Sequence, residues 1–255
     1  YNEYMKKTTI SLIQMDVKTG HVDKNLSTAS SMIEKAVKRD SDFIVLPEMW
    51  ATGFVHEDLH GSSKHYFKTL IEFMSVRAKE ANSCVIGGSI PEPENGRIFN
   101  TCFIFNKKGH MIGKYRKVHA FSPHVEEKHF AEGNKAEMIK TEDAKIGAII
   151  CYDLRFPEIS RKLALDGIDI LFVPAQFPSV RQDHWSVLLQ ARAIENAIFT
   201  CGCNRTGKDG KIEFSGGSMI VDPYGKILAG AQNVAPNEVV TAEINLSKTE
   251  EAREQ

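Results

Sequence analysis

Apolar positions along this chain change period several times, and the changes divide it into elements. Residues 8–15 alternate and are rich in β-branched side chains, which predicts a first strand. Asp23 then caps a helical pattern carried by Leu26, Ala29, Met32, Ile33 and Ala36. Residues 42–46 form a short continuous apolar run closed by Pro47, the mark of a strand buried on both faces, and Glu48 falls just past its end. After a loop with Gly53 and Gly61, a helix over about residues 64–80 leads into a strand over residues 84–90. Residues 97–106 and 110–117 read as a hairpin turning at Lys108-Gly109. Residues 121–134 have no period, hold Pro123 and Gly133 and carry Glu126, Glu127 and Glu132, so they read as an irregular surface loop of a length that is often functional.

The second half repeats the alternation of strands and helices. Strands are predicted at residues 136–141 and 145–151, a helix opens at Pro157 and runs to about Leu165, and residues 169–173 form another buried strand stopped by Pro174. A helix over about residues 181–197 presents Val187, Leu188, Ala191 and Ile194 on one face, with strands near 198–203, 218–222, 226–228 and 239–244 after it. Asp222-Pro223-Tyr224-Gly225 is a turn between two of these. Asp42-Phe-Ile-Val-Leu-Pro47 and Asp169-Ile-Leu-Phe-Val-Pro174 share a pattern, which points to two related βα halves. Strands alternating with long helices predict a layered α/β fold with mixed sheets, and the absence of a linker or low-complexity stretch predicts one domain over residues 1–255.

Composition narrows the choice of partner. The 32 basic and 33 acidic residues balance, which leaves no long-range pull toward nucleic acid or an anionic membrane and favours a small neutral or anionic ligand. No apolar run approaches the roughly 20 residues that span a bilayer, and no signal-peptide core is visible, so a cytoplasmic protein is expected. The residues before Met5 leave two readings open, a flexible end or a foreign remnant. Five cysteines, an odd number set in apolar runs, do not read as a disulfide framework, and Cys201-Gly-Cys203 is too tight for a zinc site. No phosphate-cradling glycine motif follows a strand, and His56 and His60, four apart, lie in a predicted loop. Neither a metal nor a cofactor is expected.

The candidate chemistry gathers at strand ends. Residues 146–150 deliver Cys151 to a strand-to-helix turn, a bend that projects one side chain and aims the next N–H the same way. The alternative is a buried thiol that only fills space. A thiol with a free pKa near 8.5 needs a base or a positive field to act at neutral pH. Glu48, Lys117 and Cys151 each follow a predicted strand, where open α/β sheets bind ligands. Burial raises a carboxylate's pKa and a lysine nearby opposes that, so the balance at Glu48 stays open; Lys117 itself can hold a developing oxyanion.

Pro47-Glu48-Met49, Tyr115-Arg116-Lys117-Val118-His119 and the run from Cys151 to Glu158, in that order, resemble the signature blocks of the nitrilase, or carbon-nitrogen hydrolase, superfamily. The resemblance continues through residues 191–196, Asn204-Arg205 and residues 215–218, nearly the whole chain. It implies a four-layer α-β-β-α sandwich with two mixed sheets, protomers paired into a homodimer through their helical layers, and a Glu-Lys-Cys triad. Glu48 is then the general base, Cys151 the nucleophile and Lys117 the stabiliser of the tetrahedral intermediate, with the Tyr152 N–H as a second donor. The family's second glutamate, seven residues before a glycine, falls at Glu126, with its neighbour Glu127 as the alternative. Attack on an amide carbon, loss of ammonia and hydrolysis of the thioester complete the implied reaction, without a cofactor.

Residues 48–54 and 174–178 with His184-Trp185 are similar to the ω-amidase-like branch, whose members act on ω-monoamides such as 2-oxoglutaramate and 2-oxosuccinamate. Those substrates carry a far carboxylate, which implies an anchor; Arg155 and Gln176 are the candidates, with a structural ion pair the competing role for Arg155. Trp50, Phe177 and Trp185 are candidate pocket walls that could equally be core. Arg192 and Glu195 are expected to pair within the fold or across the dimer. A nitrilase, an N-carbamoyl amidohydrolase and, in a different class, a catalytically silent metabolite-binding scaffold remain the alternatives.

Overall fold

The alternating stretch near the N-terminus becomes strand β1 (Lys7–Met15), and helix α1 (Val22–Val37) buries Ala29, Met32, Ile33 and Ala36, the stripe its spacing predicts. The computed structural model describes residues 7–54, 59–121, 126–231 and 236–254; residues 1–4, His56 and Pro123 lie outside these. The first half continues with β2 (Phe43–Val45), α2 (Leu59–Ala81), β3 (Cys84–Ile86), β4 (Ile90–Glu94), β5 (Arg97–Phe105) and β6 (Met111–Arg116). Past the short α3 (Glu126–His129) come β7 (Ile139–Lys140), β8 (Lys145–Ala148), a 3₁₀ turn (Cys151–Arg155), α4 (Pro157–Leu165), β9 (Ile170–Ala175), α5 (Gln182–Asn196) and β10 (Phe199–Asn204). A hairpin of β11 (Thr206–Asp209) and β12 (Ile212–Ser215), then β13 (Met219–Val221), β14 (Ile227–Gly230), β15 (Asn237–Asn245) and α6 (Ser247–Arg253) complete the order.

Two mixed sheets result. One runs β15-β1-β2-β3-β5-β4, with β6 also paired to β5; the other runs β14-β13-β10-β9-β8-β7. Their inner faces share one apolar core, in which Ile10, Phe43 and Ile86 of the first sheet meet Ile146, Phe172 and Cys201 of the second. The outer face of the first sheet packs on α1 and α2 through Ile44, Val85, Met32 and Met74. On the second, Leu163 of α4 and Leu189 of α5 close against Gly147 and Gly202, whose missing side chains let the helices approach. Helix, sheet, sheet and helix make the four-layer sandwich implied by the resemblance, each layer burying one apolar face.

The echo between residues 42–47 and 169–174 is structural. β2 lies parallel between β1 and β3, and β9 lies parallel between β8 and β10. Asp42 N–H donates to Thr9 O (2.8 Å) and its carboxylate accepts from Thr9 N–H (3.0 Å); Asp169 N–H donates to Lys145 O (2.7 Å) and its carboxylate accepts from Lys145 N–H (2.9 Å). Each aspartate therefore locks the start of a central strand to its neighbour.

Several sequence expectations need correction. α1 begins at Val22 with Asp23 inside its first turn rather than at the cap, where its charge complements the positive end of the helix dipole. α2 begins at Leu59, so His60 is helical and not in a loop. The strand expected over residues 84–90 breaks into β3 and β4 at Gly87-Gly88-Ser89. The strand starting at residue 145 ends at Ala148, short of Cys151, and residues 136–141 yield only the two-residue β7. Pro174 lies inside β9: only β10 still pairs at that point, β8 having stopped at the level of Phe172, so the missing N–H breaks no shared ladder. α5 buries Trp185, Leu189, Ala193 and Asn196 and turns Val187 and Ile194 outward, because a helix with apolar residues on more than one side does not announce which side is covered. The loop expected over residues 121–134 contains α3.

Candidate active site

Cys151 opens the 3₁₀ turn at φ +48°, a left-handed conformation that non-glycine residues rarely hold unless the surroundings enforce it. The enforcing group is Asp153, fully buried, which the sequence reading did not single out. Its carboxylate accepts from Ile150 N–H (3.1 Å) and Tyr115 O–H (2.7 Å) with one oxygen, and from His119 N–H (2.9 Å) with the other, which also meets His119 Nδ1 at 2.9 Å. Tyr115 and His119 flank Lys117 on the exit from β6, so one carboxylate ties the cysteine turn to the lysine strand. The His119 ring stacks on Phe156 with centroids 3.5 Å apart, and Arg192 donates from Nε (3.1 Å) and Nη2 (2.8 Å) to Leu154 O while pairing with Glu195 inside α5 (3.0 Å). The first backbone bond of the turn is Asp153 N–H to Ile150 O (3.1 Å), so the N–H groups of Cys151 and Tyr152 precede it and are available as donors.

Glu48 follows β2 across Pro47 and is completely buried. Its Oε1 accepts from Lys117 Nζ (2.9 Å) and Asn100 Nδ2 (2.8 Å), and its Oε2 from the backbone N–H of Gln176 (2.9 Å). Gly88 makes this path possible: at φ +58°, a Cβ there would lie 2.0 Å from Pro47 O. Lys117 Nζ also donates to both oxygens of Glu126 (2.9 and 2.8 Å), and Glu126 Oε2 accepts from Phe121 N–H (2.6 Å). Gly133 N–H donates to Lys117 O (2.8 Å), and a Cβ on Gly133 would meet Arg116 O at 2.2 Å, so no other residue passes there. Glu126 is buried while Glu127 points to solvent.

The electrostatics follow from two carboxylates, one ammonium and one thiol buried side by side. Burial disfavours a charged Lys117, but Glu126 and Glu48 outweigh it and hold its pKa well above the ordinary lysine value. Burial, reinforced by Glu48, pushes Glu126 up. Burial first and Glu48 second push the Cys151 thiol up, with Lys117 opposing. The resting thiol is protonated, so any nucleophilic role requires it first to pass its proton to a neighbour. Among the described residues no group of histidine, cysteine and acid side chains has the arrangement of a metal site.

The structure brings Glu48, Lys117, Glu126 and Cys151 together, sets Tyr152, Arg155, Gln176 and Phe177 beside them, and places Trp50 and Trp185 in the packed interior. Phe177, Tyr152 and Arg155 border the recess above Cys151, joined by Phe121, Pro178 and Arg181. Phe177 is fixed by Asn204, which accepts from its N–H (2.8 Å) and donates to its C=O (3.0 Å). Gln176 reaches Glu48 O with Nε2 (2.9 Å) and accepts from Arg205 Nη1 with Oε1 (3.0 Å), so its amide is occupied at both ends. Trp50 lies in the core beneath α2, its N–H on Gly87 O (3.0 Å), and Trp185 is buried between α5 and the second sheet with its N–H on Gly217 O (2.8 Å). Arg155 has no carboxylate partner among the described residues; its Nη2 meets His184 Nδ1 at 3.1 Å. The sequence reading missed Asn100, Asp153 and Arg181. Hairpin register was the available signal for Asn100, since Lys117 N–H donates to Asn100 O (2.9 Å) directly across the ladder.

Comparison with known proteins agrees with this geometry. The carbon-nitrogen hydrolase family matches residues 9–254, and the chain belongs to that family of amide-cleaving enzymes. It is 37% identical over 248 residues to the 2-oxoglutaramate amidase of Bacillus subtilis, covering 97% of this chain and 95% of that one. It is 30% identical to mouse omega-amidase NIT2, covering 98% and 93% of the two chains. The crystal structure of Saccharomyces cerevisiae Nit3, a member of branch 10 of the nitrilase superfamily, superposes with a TM-score of 0.89 at 31% identity, covering 98% of this chain and 94% of that one.

Proposed function

We propose that the protein is an ω-amidase that releases ammonia from 2-oxoglutaramate or 2-oxosuccinamate through a thioester on Cys151. The observation that carries this reading is the convergence of Glu48, Lys117 and Glu126 beside a cysteine held at positive φ, in a chain resembling an amidase named for 2-oxoglutaramate. Cys151 Sγ attacks the amide carbon as its proton passes to Glu48. The oxyanion is held by the Lys117 ammonium and the Tyr152 N–H, donors whose worth is greatest in a site without water. Glu48 returns the proton to the leaving nitrogen, ammonia departs, and Glu48 then takes a proton from the water that cleaves the thioester. Glu126 keeps Lys117 charged and pointed at the reacting atoms. Val187 and Ile194 on α5 and Leu165 on α4 are exposed apolar side chains that support pairing of two protomers through this helical layer. No described helix is long and apolar enough to cross a membrane, which is consistent with a cytoplasmic enzyme. The test is ammonia release measured side by side from 2-oxoglutaramate, linear amides, N-carbamoyl amino acids and nitriles, with Cys151→Ala as control. Turnover of the ω-amide at least tenfold above the others supports the reading; preference for a nitrile or carbamoyl compound replaces it, and unchanged release by Cys151→Ala overturns the mechanism.

A further inference from the structure

Two guanidinium groups border the recess that holds Cys151: Arg155 from the 3₁₀ turn and Arg181 from the segment that enters α5. Neither is paired with a carboxylate among the described residues. Arg155 lies 5.7 Å from the ring centre of Tyr152 and 5.5 Å from that of Phe177, and Arg181 lies 5.0 Å from that of Phe121. Glu213, which shares a neighbouring cleft with Arg181, pairs with Lys208 instead, and Asp183 is exposed on the first turn of α5. Contacts of a cation with a ring face are weak holding points beside a bidentate carboxylate bond, so both arginines are parked rather than committed. The recess is also tight, leaving the centre of a water molecule about 10 Å³, the space of a single water.

Charge supplies the second argument. Behind Cys151 lie two carboxylates against one ammonium, which repels an anionic substrate. The two arginines at the mouth reverse that sign where the substrate's far end must rest. Gln176 cannot serve there, because Glu48 and Arg205 occupy its amide.

We propose that Arg181 and Arg155 form a two-armed clamp for a carboxylate at the far end of the substrate, with Arg181 the specificity-determining arm, so that the site selects short monoamides of dicarboxylic acids over neutral amides of equal length. The proposal rests on the amidase reading and deepens it by assigning the group that recognises the substrate's second end. Arg181 acts on binding at one end while Cys151 meets the amide carbon at the other.

The experiment compares glutaramate with valeramide, an anionic and a neutral amide of the same chain length, in the parent enzyme, Arg181→Met and Arg181→Lys. Arg181 lies at a half-exposed position, and circular-dichroism melting verifies that each variant is folded. In Arg181→Met the ratio of kcat/KM for glutaramate over valeramide falls about ten- to a hundredfold, the usual worth of a charged hydrogen bond, and the loss appears in KM. Arg181→Lys restores part of the ratio, since an ammonium keeps the charge but not the fork. A second readout removes turnover: in Cys151→Ala, calorimetry shows glutaramate binding weakened by a similar factor when Arg181→Met is added. A ratio within twofold of the parent in folded Arg181→Met overturns the clamp and leaves the amidase reading standing. A parent that binds glutaramate through Arg181 but hydrolyses neither amide supports the clamp and overturns the amidase reading.

Discussion

The two sheets are copies of one plan put to different uses. Each has a central parallel strand, β2 or β9, opened by an aspartate bonded to its neighbour and followed by an exit loop held from the end of the third strand. In the first half that holder is Ser89, whose Oγ accepts from Met49 N–H (3.0 Å); in the second it is Asn204, which accepts from Phe177 N–H (2.8 Å). The difference lies in what the exits carry. After Pro47 the first half places Glu48, and after Pro174 the second places Ala175, then the Gln176 N–H that binds Glu48 Oε2. One copy supplies the charged groups Glu48, Lys117 and Glu126; the other supplies the thiol, the backbone donors and the apolar wall. A repeated scaffold thus gives two facing strand ends, and specialisation of each yields groups that neither could assemble alone.

The largest effect expected from breaking this division is on turnover. Glu48→Gln keeps the first half's shape while removing the carboxylate proposed to accept the thiol's proton, and ammonia release falls by about 10⁴-fold or more, as for other members of a unit that acts together. The far-ultraviolet spectrum stays that of the parent. Next is Lys117→Met, which leaves Glu48 and Glu126 buried without their shared cation. Loss of one partner from a buried charge set costs about 3–5 kcal/mol, read as a lowered denaturant midpoint. Among the described residues the second half has no comparable buried charge cluster, so Asn204→Ala, which removes only neutral bonds, costs less in the same measurement.

Coupling between the copies is tested by Asp153→Asn. The amide keeps one acceptor but turns an N–H₂ toward donors on Tyr115, His119 or Ile150, leaving at least one buried donor unmet, about 1–3 kcal/mol. Activity drops further than stability, because Cys151 and Lys117 lose their common tether; kcat and the melting temperature measured together separate the two effects.

The smallest effect distinguishes the two strand-opening aspartates. Burial pushes the Asp42 carboxyl up, but the Thr9 N–H and Lys107 outweigh it and hold its pKa below the usual carboxylate value. A depressed folded-state pKa gives stability that is present above the unfolded value of about 3.9 and lost as pH falls below it. Asp42→Asn is therefore destabilising by about 1 kcal/mol at pH 7, and the gap from the parent narrows in urea titrations below about pH 4.

Much of the architecture was legible because its signals are local. Continuous apolar runs marked β2 and β9, Pro157 marked the start of α4, and Lys108-Gly109 marked the β5–β6 hairpin. Glu48, Lys117 and Cys151 stood out as reactive groups at strand ends, while Glu126 came only through the family resemblance, whose second glutamate precedes a glycine, here Gly133, by seven residues. What failed depended on the other half of the molecule. Asp153 sits in an apolar run, and its partners Tyr115 and His119 are over thirty residues away. Trp50 and Trp185 looked like pocket walls because aromatic side chains serve cores and pockets alike. The outward face of α5 was misjudged because a second layer, not the helix, decides which side is covered. Arg181 carried no pattern; only the fold sets it across the recess from Arg155.

The raised pKa of Cys151 also bears on how the enzyme survives. Oxidants attack thiolates, and a buried cysteine kept as a protonated thiol offers peroxide little to attack. The other four cysteines are buried and likewise pushed up by burial, Cys84 to about 12. On the proposed mechanism activation is deferred until substrate and Glu48 are both in place, so the reactive form exists mainly during turnover. On that mechanism, resistance to oxidative inactivation is a by-product of the same desolvation that tunes the site.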